Sequence, residues 1–270
     1  MAHEFDEGYG QEPFLTLCRD YPADPVYPAA DFRTEWGPIF HRGRLDGSAR
    51  VLIIGQDPAA HETIARRILV GEAGLRVQGF LAKLGITRSY VLINTFLYSV
   101  VTQQGGTGHQ HDDAIVGYRH RWFDAVFETS PIEAVLALGT LADHAWTLWK
   151  KTPKGHATAV TYAHITHPTA DRNVHGDAAH AAFVATMLQN WNAGLTTLKP
   201  AIAHPDQTIA LVPYGSTFLP GDLREIPEID LPAGLPPWMR GLEHWAARTG
   251  ANDAAKRATI QVVVPAAFLP

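Results

Sequence analysis

Short apolar runs alternate with stretches of helical periodicity through the middle of the chain. Residues 50–54, 90–94, 134–138 and 160–165 read as strands, and 72–84, 113–128, 141–149 and 177–192 read as helices. The helix at 72–84 sets Leu75, Val77, Phe80, Leu81 and Leu84 largely on one side, while runs such as Val91-Leu-Ile93 are apolar throughout, as strands covered on both faces are. Strand and helix in strict alternation predict an α/β fold. The expected architecture is a three-layer α/β/α core with a central, mostly parallel four-stranded sheet. No internal repeat is visible.

The flanks have a different texture. Residues 21–38 and 200–237 are rich in proline and, with their aromatics, read as segments that wrap a core rather than as free linkers. Residues 209–212 and 260–264 are apolar enough to be extra strands. The chain is therefore expected to be one domain over 1–270: an N-terminal wrap at 1–49, the α/β core at 50–199, and a C-terminal extension at 200–270 packed on the core. No chemistry is legible in the terminal section.

Composition narrows the classes. The 270 residues are 46% hydrophobic, enough for a sizeable core. No apolar run approaches the roughly 18 residues of a membrane span, and Met1 to Gly10 are polar and acidic, so the expectation is a soluble cytoplasmic protein of the bacterial cytosol or nucleoid, without a membrane partner. Cys18 is the only cysteine, which excludes an internal disulfide and any cysteine-held cluster built from one chain. The net charge of −5 argues against nucleic acid until its distribution is read: −4 lies in 1–50, +1 in 51–199 and −2 in 200–270. The middle section is the least acidic and holds ten of the 14 histidines.

Ligands of open α/β sheets bind where loops leave the carboxyl ends of parallel strands. Four turns open there: Gly55-Gln-Asp-Pro-Ala-Ala-His61, the strand end at Asn94, Gly139-Thr140, and His167-Pro-Thr-Ala-Asp-Arg172. Asp57, Asn94 and His167 can thus meet in one cleft. Singly, each also suits a helix cap, a turn or a structural loop. Convergence alone defines a site without a reaction.

Gly55-Gln-Asp-Pro58 after a hydrophobic strand and His167-Pro-Thr169 after a later one resemble the paired motifs of the uracil-DNA glycosylase superfamily. Tyr90-Val-Leu-Ile-Asn-Thr95 is similar to that family's strand ending in a base-reading Asn, and Val135-Leu-Ala-Leu-Gly-Thr140 opens a helix as expected. Arg67-Ile-Leu-Val-Gly-Glu-Ala-Gly74 resembles a segment of the family's iron–sulfur branches, whose cluster one cysteine cannot hold. The resemblance spans about 50–190. It implies a DNA-repair glycosylase that flips a uracil nucleotide out of single- or double-stranded DNA and cuts the base–sugar bond without metal or other cofactor, as a monomer.

The same resemblance implies roles. Asp57 would orient water and stabilise the sugar cation, and His167 would stabilise the departing base anion. Gln56, through its backbone, and Asn94 would bind the base, with Ala59 and Leu69 shaping its pocket. Gly139, Thr169 and Arg172 would face DNA, Arg172 as wedge or phosphate contact. No lysine in these motifs can form a Schiff base, so the expectation is monofunctional cleavage.

Several positions depart from the family pattern. Ala59 replaces the Tyr that excludes thymine in the most specific uracil enzymes, and Pro58-Ala-Ala-His61 resembles a broad-specificity branch that itself lacks the Asp. Leu69 stands where other branches carry a stacking Phe. His109 and His111, after Gly105-Gly-Thr-Gly108, correspond to a loop used covalently in one branch; a flexible polar loop or a metal clamp are the other readings. A lesion- or abasic-site-binding protein with little turnover is the alternative function. An unrelated α/β nucleotide enzyme would need a phosphate loop, and none follows the first strand.

Overall fold

The computed structural model describes residues 9–269, so most of the acidic Met1 to Gly10 segment lies outside the described residues. Helix α1 (Phe14–Arg19) leads to strand β1 (His41–Gly43), then β2 (Val51–Gly55), α2 (Ala60–Ala65), α3 (Glu72–Leu84) and β3 (Tyr90–Asn94). There follow α4 (Gln103–Gly108), α5 (Asp113–Thr129), β4 (Ala134–Leu138), α6 (Thr140–Lys150), α7 (Pro153–Ala157), β5 (Thr161–Ile165) and α8 (Asp177–Leu198). The last section adds α9 (Trp238–Gly241), β6 (Ala246–Arg248), α10 (Asp253–Ala258) and β7 (Ile260–Val262).

The main sheet has five strands in the order β1-β3-β2-β4-β5, one more than the four expected. Strands β2 to β5 are parallel, and β1 joins antiparallel with His41 opposite Ile93. β1 escapes hydrophobic patterning because its His-Arg-Gly sequence is polar, yet Arg42 is fully buried. Asp230, far along the chain, compensates it: the carboxylate accepts from Arg42 Nη1 at 2.9 Å and also from Arg44 and the Tyr90 hydroxyl. Removing one partner of such a buried set costs about 3–5 kcal/mol.

Successive residues of each strand point to opposite faces, and the core divides accordingly. Leu52, Ile54, Val91, Ile93, Val135 and Ala137 meet aromatics of α5 and α6, including Trp122, Phe123, Trp146 and Trp149. Val51, Ile53, Leu92 and Leu136 meet Phe80, Leu81 and Leu84 of α3 and Leu188 and Trp191 of α8. These are the two outer helical layers. Truncating a ring such as Trp191 to Ala in this interior costs about 3–5 kcal/mol.

The two extra strands expected in the C-terminal section fare differently. Residues 209–212 form no strand; Ile209 and Val212 face solvent and have no partner edge. In the 260–264 run, β7 is paired antiparallel with β6 in a separate two-stranded sheet. A third apolar cluster joins that section to α2 and α3, through Trp238, Trp245 and Ile226 against Ala60, Ala65, Val70 and Leu75. The glycine-rich 105–108 stretch belongs to α4, whose N-cap Thr102 accepts the Gly105 N–H at 3.0 Å. Among the described residues, no helix is long and apolar enough to cross a membrane.

Candidate active site

The parallel strands all point their carboxyl ends at one edge of the sheet, and a cleft of about 570 Å³ opens there. Gln56, Asp57, Ala59, His167 and Thr169 line it, so the turns after β2 and β5 do converge. Arg33 and Arg248 line it as well.

Asp57 leaves β2 just before Pro58 and is half-buried. Its Oδ2 accepts the Val100 N–H at 3.0 Å. Burial pushes the carboxyl up to about 6, while the Val100 N–H, Arg33 and Arg248 pull the other way. Arg33 fixes the facing loop by donating to the carbonyls of Val100 and, at 3.1 Å, Val101. The result is an ionisable group poised close to neutral pH.

His167 is half-buried beside it and neutral at physiological pH, its pKa held down at about 4 by burial and by Arg172 against the opposing pull of Asp171. The Thr169 backbone N–H lies 3.3 Å from Nδ1 and can only donate, so Nδ1 is the acceptor and Nε2 carries the ring proton. The loop is held by buried Arg76, which donates to Pro168 O and to both Asp171 oxygens, at 2.8 and 3.1 Å. Gly139, at φ 82°, lets the two motifs close on each other: a Cβ there would stand 2.4 Å from Gln56 Nε2 and 3.1 Å from the His167 Cβ.

Asn94 and Leu69 do not line the open cleft. Asn94 lies behind Gly55, where an added Cβ would be 2.2 Å from Asn94 Oδ1 and 3.6 Å from Leu69 Cδ1. Both amide atoms of Asn94 are buried without a hydrogen-bond partner. Such orphaned groups are rare and costly, and here they sit directly against Gly55, which Asn94 faces in the β2–β3 register. Leu69 is buried in the left-handed region at φ 53°.

Arg172 also stands away from the cleft lining. Its guanidinium pairs with the buried Glu72 carboxylate and reaches His244 Nδ1 at 3.0 Å. Glu72, Glu243 and His244 bring ligand-type atoms within 4.8 Å of one another, but Arg76 and Arg172 already supply positive charge to Glu72. His109 is held between Asp31 at 3.0 Å and Asp112 at 2.6 Å, while His111 meets His144 at 3.3 Å.

Sequence reasoning passed over Arg33, Arg76, Arg248 and Glu62. Glu62 carries a legible signal, since a Glu three residues after a turn residue closes half a capping box: its Oε2 accepts the Ala59 N–H at 2.8 Å. Burial pushes Glu62 up to about 7, with Asp57 adding to the rise. His61 has a structural task, accepting the Trp245 N–H at 3.2 Å and meeting the Trp245 ring edge-on at 4.8 Å. The three arginines carry no local motif; tertiary structure alone brings them in.

Residues 42–201, more than half of the chain, match the family model described as the uracil DNA glycosylase superfamily. Asp57, Asn94, Gly139 and His167 all fall inside that stretch, whereas Arg33 and Arg248 fall outside it. No curated protein matches the chain.

Proposed function

The chain belongs to the uracil DNA glycosylase superfamily, a family of DNA-repair glycosylases, and on that premise we propose that it is a monofunctional glycosylase removing uracil from DNA, with tolerance for other damaged bases. The observation that carries this reading is the presence in one cleft of a half-buried carboxylate, Asp57, and a neutral imidazole with its proton on Nε2, His167.

Bond cleavage makes an oxocarbenium-like sugar and a base anion. Asp57, once ionised, places negative charge beside the sugar and orients the attacking water. His167 Nε2–H donates to the uracil O2, where charge gathers, an effect on the order of 3 kcal/mol for one well-aimed donor. A neutral imidazole keeps the cleft from gaining a cation that would compete with the sugar. The unpaired amide of Asn94 suits the O4 and N3 of uracil, which the amino group of cytosine satisfies less well. Ala59 is exposed at the rim and leaves room where a Tyr would block a 5-substituent. Gly139 and Thr169 face DNA through the turns they build, and Arg172 meets it only by leaving Glu72. The whole 1–270 chain acts as one glycosylase domain, as a monomer.

The test is cleavage of labelled single- and double-stranded DNA with one uracil, in chelator, with alkali added afterwards. Strand breakage only after alkali is the expected result. Breakage before alkali overturns the monofunctional reading, and binding without breakage favours a lesion-binding protein.

A further inference from the structure

Two residues that line the cleft, Arg33 and Arg248, come from outside the stretch matched by the family. Arg248 ends β6, and β6 is pinned within a few residues of it. Trp245 is buried among Ala60, Ala65 and Val70, its N–H is taken by His61 at 3.2 Å, and its carbonyl receives the Val263 N–H at 2.9 Å. The arginine is thereby held over α2, which the Pro58-Ala59 rim immediately precedes.

Its guanidinium is only partly used. Nη2 donates to Thr63 Oγ1 at 3.1 Å, and Nη1 approaches the Arg257 carbonyl at 3.5 Å. Thr63 in turn donates to the Ala59 carbonyl at 2.9 Å, so the contact ties Arg248 to the rim. An arginine has five N–H donors in a planar fork, and among the described residues the rest of this fork has no protein acceptor and no carboxylate pairs with it. Arg33 differs, because its two terminal nitrogens donate to the carbonyls of Val100 and Val101 and its one unpaired donor, Nε, is buried. Arg33 clamps a loop; Arg248 has donors to offer.

We propose that Arg248 binds a DNA phosphodiester flanking the extruded nucleotide, which makes the β6–β7 hairpin part of the substrate site. A sugar seated with its anomeric carbon against Asp57 carries its two phosphodiesters into the same cleft, because all three groups belong to one nucleotide. A guanidinium fork matches two phosphate oxygens. The inference rests on the glycosylase reading in that DNA must enter this cleft.

The test uses the full chain and duplex DNA carrying a non-cleavable abasic-site analogue, with affinity measured across a salt series for wild type, Arg248→Gln and Arg248→Lys. Melting curves check that each variant folds. For Arg248→Gln, affinity is expected to fall about tenfold, with the slope of log K against log salt shallower by about 1. Arg248→Lys is expected to keep the slope and lose part of the affinity. An unchanged slope in Arg248→Gln overturns the proposal. So does a drop in kcat at saturating uracil DNA with unchanged slope, which would assign the cation to Asp57 instead. Arg248-dependent binding without any cleavage leaves the inference standing and removes the glycosylase reading.

Discussion

The backbone N–H of Thr169 lies 3.3 Å from Nδ1 of His167, so the acceptor side of the imidazole is engaged within its own loop and the donor side is left for a ligand. His167→Ala deletes that donor. The expected outcome is a loss of about 100-fold or more in single-turnover cleavage of uracil DNA, with affinity for abasic-analogue DNA nearly kept. A loss under about threefold would remove His167 from the chemistry, since one oxyanion-type donor is worth far more than that.

In the proposed reaction Asp57 acts as the carboxylate, and its pKa of about 6 lies well above that of His167, about 4. The kcat/KM profile is expected to climb with pH and level off above about 6, with the imidazole neutral along the whole limb. Asp57→Asn abolishes the limb and slows cleavage by about 100-fold or more, while binding changes little. A limb centred near 4 in the wild type would take the role away from Asp57.

Glu62 titrates in the folded protein at about 7, above its ordinary 4.5, so the folded state binds this proton more tightly than the unfolded state does. The stability it contributes is present below about pH 4.5 and is lost as pH rises toward 7, by an amount on the order of 3 kcal/mol. Asp57 shifts in the same sense, so the comparison belongs in an Asp57→Asn background. There, Glu62→Gln is expected to flatten the fall in unfolding free energy between acid and neutral pH. Denaturant titrations at several pH values with equal slopes for both proteins would sink the assignment.

Gly139 and Gly176 share a positive φ, 82° and 89°, but only Gly139 has neighbours an added Cβ would strike. Gly139→Ala is expected to lose about 1–3 kcal/mol of stability and to cripple cleavage by displacing Gln56 and His167. Gly176→Ala carries the backbone strain alone and is expected to leave kcat/KM within about twofold. Thermal melts beside steady-state kinetics separate the two effects; equal losses of activity would mean that contact with Gln56 and His167 is immaterial.

Ala59 at the rim sets the width of the pocket in the reading proposed above. Wild type is expected to excise uracil and, more slowly, bulkier or 5-substituted bases from a panel of lesion duplexes. Ala59→Tyr is expected to confine cleavage to uracil. A wild type that attacks uracil alone would show that some other group closes the space.

Much of the core was legible because β2, β3 and β4 are largely apolar, fully buried runs, as parallel strands covered on both faces must be. β1 was not: the burial of Arg42 depends on Asp230, and no local pattern announces a partner that far along the chain. Residues 209–212 look like a strand by composition but find no edge to pair with. Asp57 and His167 could be named from strand-end position and motif, and both line the cleft. Asn94 could be named too, though its recess behind Gly55 follows from how β2 and β3 sit in register, with Gly55 opposite Asn94. Arg33 and Arg248 were invisible, since isolated arginines in the flanks look like solvent-facing charge until the chain is folded.

The division of the cleft between the family-matched stretch and its flanks bears on how the protein is made. A nascent chain that has emerged only as far as residue 201 carries Asp57 and His167 but lacks the wall bearing Arg248. Synthesis therefore delivers Asp57 and His167 first and the residue that completes the cleft lining, Arg248, later.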